Sequence, residues 1–308
     1  MTATAPAPVD TTPPRPPTRD ERNVRRRRWW REVGWRYVVF AIALAFAMFP
    51  VVWIVSASFN PSGGLRGQQL IPDEPTLRHY RTLFEDPNVP FARWFVNTIV
   101  IASSATLANT FLCALAAFSF SRLRWTGRRT GLLLVLLVQM FPQLLAMVAI
   151  FTMMQNIGDV FPAIGLGTQA GLILIYMGGA LGVNTWLMKG FFDTIPRSLD
   201  ESARIDGATH WQIYSRIILP LAAPILAVVA LLTFIITLND FVIASFMLND
   251  VDEFTLSVGL FRFIDGRFGA NWGPFAAGAV LGAIPIIVLW LFLQRYVISG
   301  LTAGAEKG

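Results

Sequence analysis

Six runs of apolar residues, at about 37–58, 95–120, 131–154, 168–191, 220–246 and 275–298, constrain this chain more than any other feature of it. A helix of about 20 residues rises about 30 Å, enough to cross the hydrocarbon of a bilayer. One such run is compatible with a buried core helix, whereas six in succession within 308 residues call for a membrane. Composition agrees: charged residues make up 14% of the chain, against roughly 25% in a soluble domain. The expected fold class is all-α, a polytopic membrane protein with six transmembrane helices. The boundaries expected are a Pro/Arg-rich tail over 1–34, a membrane domain over 35–300 and a short C-terminal tail over 301–308.

Lys and Arg set the orientation. With the N-terminus in the cytoplasm, the inner segments hold the N-terminal arginines, Arg122, Arg124, Arg128, Arg129, Lys189, Arg197, Arg204, Arg216, Arg295 and Lys307, and the outer loops hold only Arg66, Arg78, Arg81, Arg93, Arg262 and Arg267. Both termini are therefore expected in the cytoplasm. The tail 1–34 has too few apolar residues to bury a core and reads as disordered up to its Arg cluster. The first apolar stretch is longer than a signal-peptide core and reads as a retained span. A single cysteine, Cys113, excludes an internal disulfide, and two histidines, His79 and His210, leave no zinc-ligand spacing. Neither a catalytic residue, a metal site nor a cofactor site is expected. The net charge of +6 is assigned to topology and not to nucleic acid.

Between the fourth and fifth runs stands "DESARIDGATHWQIYSRIILPL", residues 200–221, a polar stretch with the punctuation of two short helices. Ser198 with Glu201, and Thr209 with Gln212, have capping-box spacing. Gly207 lies between them, where a helix stop needs a left-handed residue. Pro196 precedes the first start and Pro220 limits the second helix. Leu199, Ser202, Ala203 and Asp206 share one face of the first helix, and Trp211, Tyr214 and Ile218 a face of the second. Two such short helices are marginal alone, so the element, about 197–219, packs either on its own bundle or on a soluble partner.

Glu201, Ala203, Gly207, Ile217, Leu219 and Pro220 have the spacing of the EAA motif, with Ser202 where Ala is usual. In this the chain resembles the permease subunits of bacterial ABC importers. "QMFPQLL" (139–145), "TLNDFVIA" (237–244) and "QRYVISGLTAGAEKG" (294–308) are similar to MalG-type sugar permeases, and the resemblance runs from about Trp35 to the end. It implies the type I importer permease fold in a bacterial cell membrane. It also implies partners: a second, MalF-like permease, two copies of an ATPase that holds the ATP and Mg, and an extracytoplasmic sugar-binding protein. By the same resemblance Glu201, Ala203, Asp206 and Gly207, with Ile217, Leu219 and Pro220, form a coupling helix-turn-helix seated on the ATPase. The implied cargo is maltose or maltodextrin, with trehalose or another glycoside as the alternative.

The chain itself has no G-x-x-x-x-G-K-[ST] loop, so its energy is expected from a partner. An ion-coupled carrier would keep ionisable groups deep in its spans. Asp240, beside Asn239, is the one such group, and it either pairs structurally or lines the path. In the last outer loop Phe261, Phe263, Phe268 and Trp272 read either as an interfacial belt or as contacts for the binding protein. The first outer loop has a short amphipathic helix expected at 76–84.

Overall fold

The computed structural model describes Arg19 and residues 28–64, 69–179, 182–265 and 271–305. Most of the 1–34 tail, and Phe268, thus lie outside the described residues. Among the described residues every regular element is helical. The chain divides into two units, Met1–Trp53 and Ile54–Gly308. The first carries most of α1 (Trp30–Phe59), which has Pro50 inside it.

The second unit is built around α3 (Phe91–Arg122), on which α6 (Gln169–Gly178), α7 (Val183–Thr194), α10 (Ala223–Asn239) and α12 (Leu256–Phe261) all pack. Before it comes α2 (Arg78–Glu85), the short outer-loop helix, with His79 and Leu83 turned inward. The buried positions of α3 recur every three or four residues: Trp94, Thr98, Ala102, Ala105, Asn109, Cys113, Ala117 and Ser121. Many are small, which lets backbones approach where lipid offers no hydrophobic drive between helices. Towards its end, Cys113, Ala114, Ala117 and Phe118 join Met188 and Phe192 of α7 in the largest core cluster.

Three helices, α1, α3 and α13 (Trp272–Ala305), are long and apolar enough to cross a membrane. Three bent pairs raise the number to six when each is one span: α4 (Arg128–Gln139) with α5 (Gln143–Val160) at 98°, α6 with α7 at 53°, and α9 (His210–Leu221) with α10 at 77°. The third, fourth and fifth apolar runs are therefore broken, not the continuous helices their hydropathy suggests. Local causes are plain in each. Pro142 lacks an amide hydrogen and disfavours helix at Phe141. Gly178, Gly179 and Gly182 weaken the fourth run. In the fifth, Pro224 opens a new helix, which stops at Asn239, and α11 (Val242–Met247) follows.

A broken helix in lipid needs partners for its freed backbone. Gln139 supplies them at the fourth span: its Oε1 accepts from the Val183 amide at 2.7 Å, and its Nε2 donates to the Gly179 carbonyl at 3.3 Å. Gly182 faces this side chain so closely that a Cβ there would overlap it. Gly178 and Gly182 thus flank a break. The Gly278/Gly282 pair does pack within the subunit, with Leu260 and Leu256 of α12 filling the space of the missing side chains.

Overpacking at such a contact costs about 1–3 kcal/mol. Gly278→Ala should therefore lower the thermal unfolding temperature of the purified chain, because its Cβ would meet the Leu260 side chain. Gly178→Ala, with nothing within 4 Å of the new Cβ, should leave that temperature unchanged.

Candidate functional site

The polar stretch between α7 and α10 folds as two short helices joined at a sharp corner. The first, α8 (Arg197–Ile205), ends in a Schellman turn: the Gly207 amide donates to the Arg204 carbonyl at 3.0 Å, and the Ala208 amide donates to the Ala203 carbonyl at 2.9 Å. Gly207 has φ +82°, a conformation a side chain strains, although nothing lies within 4 Å of where its Cβ would be. A full capping box starts α9: the Gln212 amide donates to Thr209 Oγ1 at 3.3 Å, and the Thr209 amide donates to Gln212 Oε1 at 2.8 Å. The Ser198/Glu201 box does not form. With Pro196 at the N-cap, α8 begins at Arg197, which places Ser198 inside the first turn.

One face of this corner is anchored. Ile213, Tyr214 and Ile218 are buried in the cluster with Phe118 and Phe192, and Ala203 and Ala208 pack against it. The Tyr214 ring meets Phe118 edge-on at 5.1 Å. The main fastening is ionic. Arg122, the last residue of α3, lies 3.1 Å from Asp200 Oδ2, and the two side chains are only 2% and 6% exposed. Arg122 Nη2 also donates to the Ile195 carbonyl at 2.8 Å. Beside it Ser121 donates to Asp193 Oδ1 at 2.7 Å, and Lys189 pairs with Asp193 Oδ2 at 2.5 Å. The end of α3, the end of α7 and the start of α8 are thus tied at one point.

The opposite face is open. Ile205 is 86% exposed, Trp211 58% and Leu199 41%, among the exposed Glu201, Ser202, Arg204, Asp206 and Gly207. Leu199, Ser202 and Asp206 therefore point away from the core, and Trp211 leans on Tyr214 from outside, with ring centroids 5.3 Å apart. Ile217 and Leu219 are half-buried and Pro220 is exposed. An apolar crest edged by both signs of charge, rigid from below, is the form of a docking surface.

The other residues singled out by sequence are not at this corner. Asp240 Oδ1 accepts from the Tyr176 hydroxyl at 2.8 Å and from the Ala244 amide at 3.0 Å. Asn239 donates to the Ile235 carbonyl one turn back. In the last outer loop, Phe263 packs into the cluster around Leu83 and Trp94, Phe261 is partly exposed against Phe241 at 4.6 Å, and Trp272 meets Phe275 at 5.9 Å. The base of that loop is riveted to the start of α3: Trp94 Nε1 donates to the Val251 carbonyl at 2.7 Å, Asn97 Nδ2 to the Asp252 carbonyl at 2.8 Å, and the Leu256 amide to Thr98 Oγ1 at 2.6 Å. Sequence reasoning missed Arg122, Asp200, Asp193 and Gln139. An arginine ending an apolar run and an acid in a first helical turn each look like ordinary surface charges.

Comparison with known proteins agrees with this architecture. The family described as "Binding-protein-dependent transport system inner membrane component" matches residues 109–302. The galactooligosaccharides transport system permease protein GanQ of Bacillus subtilis (strain 168) is 42% identical over 274 residues, covering 88% of this chain and 94% of the relative. The maltose/maltodextrin transport system permease protein MalG of Vibrio vulnificus (strain YJ016) is 38% identical over 276 residues, covering 86% and 92%. A solved bacterial ABC transporter involved in the import of the acidic polysaccharide alginate shares the fold, with TM-score 0.72, 24% identity, and 92% and 99% of the two chains covered. An all-α membrane permease with an anchored polar corner is the class defined by fold and site. The chain belongs to the inner membrane components of binding-protein-dependent transport systems, and its resemblance to the MalG-type permeases holds over most of its length.

Removing one member of a buried ion pair costs about 3–5 kcal/mol, while replacing both by apolar residues is often neutral. Arg122→Met and Asp200→Leu should each loosen the corner, seen as faster proteolysis at residues 197–210. The double variant should recover most of the protection.

Proposed function

We propose that this chain is the permease subunit of an ATP-driven oligosaccharide importer and that the corner at 197–219 is its seat on an ATPase partner. The exposed crest of Leu199, Ile205 and Trp211 over the buried Arg122–Asp200 pair carries this reading. A surface that transmits motion has to be firm on the inside and sticky on the outside, and the corner is both. Glu201 and Asp206 supply polar contacts at the rim, Ala203 permits close approach to the cluster below, and Gly207 sets the bend. Ile217, Leu219 and Pro220 carry the movement into α10 across the 77° bend.

The energy source follows from chemistry. An uphill carrier driven by ions needs a deep titratable group that is free to change partners, and Asp240 is held by two donors. This supports assigning ATP and Mg to a partner ATPase homodimer, with a second, MalF-like permease completing the path and an extracytoplasmic binding protein delivering the sugar. The last outer loop, with Phe261 at its edge, is the contact proposed for that protein. Both termini are placed in the cytoplasm, as the Lys and Arg distribution favours. Two cargo readings stand on specific relatives: galacto-oligosaccharides from the GanQ likeness and maltodextrins from the MalG likeness.

Gly207→Val should lower co-purification of the ATPase and sugar uptake together, since a β-branched residue strains at this φ by about 1–2 kcal/mol or more. Gly207→Asn should retain both, and Glu201→Lys should lose both while membrane insertion stays normal. Normal uptake and normal complex recovery with Gly207→Val and Glu201→Lys would refute the docking role. Uptake of labelled galactotriose, maltotriose and trehalose, compared between cells with and without this chain, separates the cargo readings. Import that follows an ion gradient without ATPase subunits would reject the ATP-driven class. Phe261→Ala should raise the binding-protein concentration needed for half-maximal uptake; an unchanged curve makes the loop a lipid-surface anchor only.

A further inference from the structure

A concavity of about 440 Å3 opens where the link between α3 and α4 meets the start of α8, lined by Arg124, Trp125, Thr126, Arg128 and Arg197. Three of its five side chains are guanidiniums and none is acidic. Among the described residues no carboxylate pairs with any of the three. Arg128 donates to the Leu123 carbonyl at 3.3 Å, and Arg124 and Arg197 are exposed. Like charges gathered this way repel one another, and the nearest buried acid, Asp200, is already taken by Arg122. That same Arg122, through Asp200 and the Ile195 carbonyl, holds the two distant segments together and so builds the notch.

Its place in the fold selects the anion. α3 ends at Arg122 and α4 begins at Arg128, so the notch lies at the water boundary between two apolar helices. Trp125 packs on Phe120 at 5.5 Å and is 43% exposed, the posture of an interfacial tryptophan. From the notch α4 runs away with Leu133, Leu134, Leu137 and Val138 all exposed, an apolar track along its second half. A free phosphate would use the arginines and ignore that track. We propose that the notch binds the phosphodiester headgroup of an anionic phospholipid, with the acyl chains lying along the exposed face of α4. The proposal rests on the reading that α3 and α4 are membrane-crossing segments whose link faces the cytoplasm, where basic pockets between helices hold such headgroups.

The test is lipid retention by the full-length chain in native mass spectrometry with phosphatidylglycerol or phosphatidylcholine. The chain should retain phosphatidylglycerol preferentially. Arg124→Gln/Arg197→Gln should weaken that retention roughly thirtyfold, from two interfacial charges. Arg124→Lys/Arg197→Lys should keep most of it, which separates lost charge from lost fold. Equal retention of the two lipids, or no change in the Gln variant, overturns the proposal. Displacement of the lipid by inorganic phosphate makes the notch a soluble-anion site and overturns the lipid assignment. Loss of ATPase co-purification with lipid retention unchanged makes it a protein contact and overturns it likewise. None of these readings depends on sugar uptake, so the lipid assignment and the importer assignment fail separately.

Discussion

Arg122 and Asp200 are the fastening that holds the polar corner, the proposed ATPase seat, to the central helix. Taking two charges out of water costs several kcal/mol per ion, and their attraction offsets this only in good geometry. Here the guanidinium lies 3.1 Å from the carboxylate and donates to the Ile195 carbonyl, while Arg122 Nε and Nη1 and Asp200 Oδ1 have no hydrogen-bond partner among the described residues, so the pair's worth is positional rather than a large net stabilisation. The pair joins the end of the central helix to the first turn of α8. Without it the corner would rest on apolar contacts, chiefly those of Ile213, Tyr214 and Ile218, in two short helices of the kind that do not hold in water unaided.

That arrangement explains why a chain so poor in charge keeps charges at this corner. In the docking role proposed above, a force applied to Ile205 or Trp211 would pass to α3 through Arg122 and to α10 through the helical turns ending at Leu221. The breaks in the membrane spans belong to the same logic. Gln139 closes the gap at Gly179–Val183 with two hydrogen bonds to backbone, and after Asn239 the Asp240 carboxylate accepts from the Ala244 amide and from the Tyr176 hydroxyl. At these two breaks side chains supply partners for freed backbone groups, as lipid requires.

Local chemistry was legible in the sequence and distant pairing was not. Gly207 and the Thr209/Gln212 box announced the corner, because a left-handed glycine and a reciprocal cap are defined within four residues. The apolar runs announced a membrane bundle, because hydropathy sums over a window. The same summing hid Pro142 inside the third run and merged the fifth run across Asp240. Pro196 moved the N-cap of α8 two residues upstream of Ser198, the cap of the expected box, since a fixed φ outweighs one side-chain hydrogen bond. The Arg122–Asp200 pair could not be read at all: nothing local distinguishes a charge that will be 2% exposed from one on a wet loop.

Site-specific cross-linking from the crest tests the central claim most directly. With the buried Cys113 replaced by serine, Ile205→Cys in the assembled transporter should cross-link to the ATPase subunit, in a yield that changes between nucleotide-free and ATP-bound states. A complex that transports sugar while Ile205→Cys cross-links only within its own chain would contradict the account.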